Sequence, residues 1–364
     1  MKLIHCADLH LDSQMNTHFG SEMSRIRRHE LLHTFERMVD YAAESDVSGI
    51  LIAGDMFDTE NTTELTRNTV LSCITAHPDI LFFYLKGNHD NNNFITNLNP
   101  IPENLKLFSD EWTSFSLGNV AITGIELSSH CKEDMYSSLT LEMNHFNIVM
   151  MHGQISEISG SDDGQTVILR ELRNRNIDYL ALGHIHTYKM EELDARGMYC
   201  YPGCLEGRGF DECGPHGFVI LEIDETSHQL TTMFVPFAKR QLYTIEVDVT
   251  HCHTTQEILH QIADALLGTD CDGDSLLKIV LIGEMDVECE KDIAYLQRRF
   301  SAGYFFVKVV DETTLKIHIE DYLLEESLKG EFIRTVFNDT ELSEQDKAVI
   351  IRYGLQALAG EEIQ

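Results

Sequence analysis

The sequence predicts an α/β protein in three parts: a layered sheet domain over residues 1–238, a small α+β capping domain over 239–320 and a helical tail over 321–364. Three observations carry this expectation. Short apolar runs alternate with longer helical patterns through the first two-thirds of the chain, a β-α-β-α-β series follows residue 239, and apolar residues recur at helical spacing near the end. The composition permits it, because 364 residues at 43% hydrophobic content can bury a large core and form a domain of about 200 residues or more plus one or two smaller ones.

Taken in order, the run LIHC at 3–6 reads as a strand, followed by a helical pattern over 23–44, a strand at 49–53, a helix over 64–75 and the apolar strand ILFFYL at 80–85. Strands at 120–124 and 148–151, a helix near 167–175 and a strand at 179–182 continue the alternation, which argues for one sheet covered by helices. Beyond 239 come strands 242–249, 277–282 and 304–310, with helices 255–267 and 290–299 between them. In the tail, Leu324, Leu328, Phe332 and Val336 mark an amphipathic helix over 322–336. A second helix opens on a capping pair, Ser343 and Asp346, carries Ala348, Ile351, Leu355 and Leu358 on its apolar face, and ends at Gly360.

The charge excludes some partners. With 27 Lys+Arg against 60 Asp+Glu, the formal net charge is −33, so the surface repels nucleic acid, phospholipid and nucleotide alike, and a polyanionic substrate needs bound cations or a basic partner. No apolar run reaches the ~18–20 residues of a membrane span and the start lacks signal-peptide organisation, so the expected location is the cytoplasm, with no membrane contact. Nine scattered cysteines without a CxxC pair read as free thiols.

In such sheets chemistry gathers at the carboxyl ends of strands, and here one strand after another runs into a metal-ligand type. Asp8 and His10 follow the first strand, Asp55 and Asp58 the second, Asn88 and His89 the third, His152 the strand at 148–151, and His184 and His186 the strand at 179–182. Mixed nitrogen and oxygen ligands without thiolate suit Mn²⁺, Fe²⁺ or Zn²⁺, and so many side chains exceed what one ion can use, so two ions sharing a carboxylate are expected. The acidic run at 270–274 lacks the Gly and Glu that a calcium loop requires and reads as a solvated turn. Arg25, Arg27 and Arg28 before the first long helix, and Arg208 between two glycines, are candidates to contact phosphates.

The series DLHLD, GDMFD, GNHD, HG and GHIH, with YPGCLEGRGFDECGPHGF at 201–218, resembles the calcineurin-like metallophosphoesterases, and within them the SbcD-type DNA repair exonuclease branch. The resemblance implies one metal on Asp8, His10 and His186, a second on Asn88, His152 and His184, and Asp55 bridging both, with Mn²⁺ the expected ion. It leaves His89 unliganded, a candidate to bind phosphate or protonate the leaving 3′ oxygen, its ring oriented by Asp58 or Asp90. Asp58 stands where archaeal and eukaryotic nucleases of this group have His, so no second catalytic His carries over. The implied activity is hydrolysis of DNA phosphodiester bonds, with the small domain choosing between DNA forms. The C-terminal helices would dock an SMC-like ATPase, and the chain itself is open to forming a homodimer. The alternative is a phosphodiesterase or phosphatase for small phosphoesters, which the negative charge favours.

Overall fold

The apolar runs of the first half form neighbouring strands because each is too short and too continuously apolar for anything but a buried sheet position. The computed structural model describes residues 1–15, 19–58, 62–90, 93–96, 98–127, 135–157, 165–286, 289–316 and 325–359, and it divides into two units, Met1–Gln241 and Leu242–Gln364. The first unit runs β1 (Lys2–Cys6), α1 (Ser21–Glu44), β2 (Gly49–Ala53), α2 (Glu64–Ala76), β3 (Leu81–Leu85), α3 (Asn93–Thr96), β4 (Leu105–Leu107), β5 (Thr113–Leu117), β6 (Val120–Gly124) and α4 (Met135–Ser138). It continues through β7 (Phe146–His152), β8 (Gln154–Ser156), β9 (Thr166–Ile168), α5 (Leu169–Leu172), β10 (Tyr179–Gly183), β11 (Lys189–Glu192), β12 (Met198–Tyr201), β13 (Gly217–Ile223) and β14 (Leu230–Pro236).

Two six-stranded sheets result where the sequence led us to expect one. Their orders are β14-β13-β1-β2-β3-β4 and β11-β12-β10-β7-β6-β5. Side chains of alternate residues point to opposite faces, so Leu3, Leu51 and Phe83 of the first sheet share a buried cluster with Ile122, Ile148 and Tyr179 of the second. On the far side of the second sheet, Val149, Met151, Leu180 and Leu182 pack with Leu169 and Leu172 of α5. Strand β7 is therefore buried along its whole length, which is why its sequence reads as apolar without alternation. His5 Nδ1 meets the Tyr179 hydroxyl at 2.9 Å across the two sheets, and burial lowers its pKa to about 3, so it is a neutral core histidine.

The helix expected near 167–175 is replaced by β9, paired parallel with β8, and the four residues of α5. Asn174 and Asn176, at φ 60° and 64°, adopt left-handed backbone that a helix cannot contain. Helix α1 carries a charge network that periodicity does not reveal. Arg27, fully buried, donates to Glu30 Oε2 at 2.6 Å, Glu206 Oε2 at 2.9 Å and the Gly207 carbonyl at 2.9 Å, tying α1 to the segment after β12. Arg27→Met should lower unfolding stability by about 3–5 kcal/mol, because it strands buried carboxylates; a loss under about 1 kcal/mol in a denaturant titration would show that the remaining partners suffice.

The second unit contains β15 (Leu242–Asp248), α6 (Thr255–Leu266), β16 (Leu276–Ile282), β17 (Glu284–Asp286), α7 (Ile293–Ser301), β18 (Phe306–Asp311), β19 (Thr314–Lys316), α8 (Leu328–Phe337) and α9 (Glu344–Ala359). Strands β15, β16 and β18 pair parallel, as helical crossovers require. A capping box between Thr254 and Glu257 starts α6. The run at 270–274 is a turn in which Asp272 Oδ1 accepts from Asp274 N and Ser275 Oγ. Helices α8 and α9 share Ile333, Val336, Ile351 and Leu355 in one cluster, and Ser343 caps α9 by accepting from Asp346 N at 3.2 Å. Leu328 opens α8 but is 70% exposed, not part of the apolar face; Leu324 and Gly360 lie outside the described residues. No helix among the described residues is long and apolar enough to cross a membrane.

Candidate metal centre

Parallel pairing gives β1, β2 and β3 the same polarity, so the segments bearing Asp8, Asp55 and Asn88 leave the first sheet at one edge. In the second sheet β7 and β10 pair parallel with Gly183 opposite His152, which sets His152 beside the segment of His184 and His186. The two sheets thus bring all seven expected ligand side chains to one place. Asp8, His10 and His186 present ligand atoms within 4.8 Å of one another, and so do Asp8, Asp55 and His152.

The hydrogen bonds around these residues decide which atoms face inward. His186 Nδ1 lies 2.7 Å from Glu212 Oε1 and His10 Nδ1 lies 2.9 Å from Asp58 Oδ1. A carboxylate only accepts, so the His186 ring carries the Nδ1 proton, while His10 meets Asp58 as a close charge contact; in both rings the Nε2 atom points away from the carboxylate. These two Nε2 atoms face each other at 3.2 Å, a contact that needs a proton or a cation between them. That separation also matches the edge two imidazoles make around one ion at their ~2.1 Å bond length. The other half follows the same logic through the backbone. His152 Nδ1 donates to the Ala53 carbonyl at 2.9 Å, leaving Nε2 3.0 Å from Asn88 Oδ1 and 3.3 Å from Asp55 Oδ2. Asn88 Oδ1 is also 3.3 Å from His184 Nδ1. Converging lone pairs with so few donors among them form a cation site, and the donor set fits divalent ions of intermediate hardness.

The field at this point favours positive charge. Burial by itself would lower His152, yet the hydrogen bond and charge of Asp55, with the charge of Asp8, push it up to about 9. Burial would raise Asp55, but the His152 hydrogen bond and the charges of His152 and His10 hold it well below the usual carboxylate range. Such an arrangement is held in strained backbone. Asp8, His10, Asp55 and His184 all have positive φ, at 52°, 43°, 51° and 103°, conformations that cost energy in residues with a Cβ and that cluster at functional sites.

Other expectations land differently. Gly87, just before Asn88, has an ordinary φ and is no left-handed turn; a Cβ there would overlap Asp55 Oδ1, so glycine is needed for close approach. Asp58 was expected to orient His89, and it faces His10 and Arg208 instead. Asp90 accepts from the backbone N–H groups of Met56, Phe57 and Gly87, fixing the two loops against each other. The exposed His89 ring stands edge-on to His10 with centroids 5.1 Å apart. Arg208 lies in the site, but its Nη1 is 3.1 Å from Asp58 and its Nη2 2.8 Å from Glu212. Arg25 is exposed and Arg28 half-buried on α1, and the buried member of that cluster, Arg27, is structural. Glu212 was missed as a site residue and Glu206 as the anchor of Arg27; no spacing rule marks them, because His186 and Arg27 lie 26 and 179 positions from them.

This fold and centre define a metal-dependent phosphoesterase. Residues 1–188 match the profile of the calcineurin-like phosphoesterases, and the chain belongs to that family. It is similar to the metallophosphoesterase YhaO of Bacillus subtilis, at 27% identity over 61% of this chain and 57% of the relative. It is also similar to the DNA double-strand break repair protein Mre11 of Methanosarcina mazei, at 24% identity over 94% of this chain and 53% of the relative. The chain therefore spans about half the length of these curated relatives. A solved dimetal phosphatase from Danio rerio aligns over 61% of this chain and 92% of its own at 11% identity, with a TM-score of 0.39.

Proposed function

We propose that the chain is a two-metal phosphodiesterase that hydrolyses DNA, working as the nuclease subunit of a repair complex. Asp8, His10 and His186 hold one ion, Asn88, His152 and His184 the other, and Asp55 both. The observation that carries this reading is the pair of lone-pair clusters described above, His10 and His186 at 3.2 Å on one side and His152 and Asn88 at 3.0 Å on the other, with Asp55 between them. Bound divalent ions, Mn²⁺, Fe²⁺ or Zn²⁺ by donor set and Mn²⁺ by the resemblance, would supply a hydroxide at neutral pH and neutralise charge on the phosphoryl oxygens. His89, exposed at the rim, hydrogen-bonds the phosphate and hands a proton to the leaving oxygen. Its backbone N–H donates to Asp55 Oδ1 at 2.9 Å, which couples its position to that carboxylate.

DNA as substrate is supported by the similarity to Mre11, a DNA double-strand break repair protein. Small phosphoesters are the second reading, favoured by the net charge of −33, which opposes a polyanion. Manganese-loaded protein incubated with labelled duplex, single-stranded DNA and a chromogenic diester separates them: cleavage of the diester alone would overturn the DNA reading.

The domain over 239–320 serves as the cap that selects DNA forms, and the C-terminal helices dock an SMC-like ATPase that brings the missing cationic surface. Val349, Ile350 and Tyr353 of α9 are 52%, 36% and 41% exposed, an apolar face suited to helix recognition. Truncation after residue 320 should keep turnover of the chromogenic diester within about twofold while abolishing co-purification with the ATPase. A truncated chain that still forms the complex would make the helices purely structural.

A further inference from the structure

Two carboxylates that the family's ligand set does not include touch the far side of both histidines at one ion. We propose that Asp58 and Glu212, joined through Arg208, act as one positioning bracket for the cation site of Asp8, His10 and His186, leaving the site of Asn88, His152 and His184 independent of it. The proposal rests on the two-cation reading above.

The bracket is continuous. Asp58 Oδ1 lies 2.9 Å from His10 Nδ1 and 3.1 Å from Arg208 Nη1. Arg208 Nη2 lies 2.8 Å from Glu212 Oε1, and that same oxygen is 2.7 Å from His186 Nδ1. Glu212 Oε2 accepts from the Arg208 backbone N–H at 2.7 Å, which fixes the carboxylate's second oxygen. Arg208 Nη2 also approaches His186 Nδ1 at 3.1 Å, but a guanidinium only donates, so the acceptor for the Nδ1 proton is Glu212. One planar cation therefore holds two anions at the spacing that fixes the His186 tautomer, turns the Nδ1 edge of His10 toward Asp58 and leaves both Nε2 atoms facing each other at 3.2 Å. At His152 Nδ1 the partner is instead the Ala53 carbonyl, at 2.9 Å, which fixes its ring. The side-chain exposures of Arg208, Asp58 and Glu212 are 17%, 20% and 8%, so little solvent competes with the bracket. Its members come from the loop after β2 and the segment after β12, and Arg27 anchors the latter through Glu206 and Gly207.

The test is metal stoichiometry on the full chain. Mn²⁺ is titrated calorimetrically and followed by electron paramagnetic resonance in wild type, Asp58→Asn, Glu212→Gln and the double variant, with thermal melting as the check on folding. Wild type should bind two ions and show an exchange-coupled pair. Each single variant should weaken one ion by about 10–100-fold while the other stays, turning the coupled signal into that of an isolated ion. The double variant should still hold one ion, because both carboxylates serve the same site. Arg208→Lys, which keeps a cation but cannot span both carboxylates, should weaken that same ion less. Loss of both ions together, or retention of both in the double variant, overturns the bracket. Fewer than two ions in wild type overturns the two-cation reading itself, and the bracket with it.

Discussion

Asp55→Asn is expected to remove metal binding and hydrolysis together, with turnover falling by on the order of a thousandfold or more. The side chain is buried, at 2% exposed, and reaches both halves of the centre. Its Oδ2 is 3.3 Å from His152 Nε2 and 3.8 Å from His10 Nε2, while Oδ1 accepts from His89 N at 2.9 Å. Asparagine keeps the shape and removes the charge. Two divalent ions at close range repel strongly, and in a buried site the shared carboxylate is the main term offsetting that repulsion. The measurement is metal content by mass spectrometry beside turnover of a chromogenic diester. Full occupancy with full turnover would exclude a shared carboxylate at this position.

His89→Ala is expected to separate the two quantities, leaving metal content unchanged and lowering turnover by about two to four orders of magnitude, the usual contribution of a general acid. The ring is exposed and edge-on to His10 at 5.1 Å, near enough to reach a phosphate bound at the centre. One arrangement argues the other way. His10, Asp58 and His89 also present ligand atoms within 4.8 Å of one another, so a drop in metal content would make His89 a ligand. The engagement of Asp58 with His10 and Arg208 weighs against that outcome, since it already satisfies this carboxylate.

The candidate ligands were legible in the sequence for a physical reason. Parallel strands joined by helices share polarity, so residues just past each strand meet at one edge whatever the details of packing. Asp8, His10, Asp55, Asn88, His152, His184 and His186 could be collected by that rule alone. Strands such as β2 and β3 were equally clear, because burial on both faces demands a continuous apolar run. Where local pattern was weak, as at residues 167–175, a short strand pairing and two left-handed asparagines overruled the helical signal.

Local pattern thus suffices for the α/β class, the residue types at the strand ends and the chemistry open to them. The packed fold adds that there are two stacked sheets, that Gly87 is glycine because Asp55 lies against it, and that Asp58 faces His10. It alone reveals Glu212 behind His186 and Arg27 buried beneath the 206–207 segment. These are contacts between residues 26 to 180 positions apart, and no local periodicity encodes them. They arise from where the chain returns after each crossover, and a hydrogen bond of 3 Å is set by that return path and not by the residues beside it in sequence.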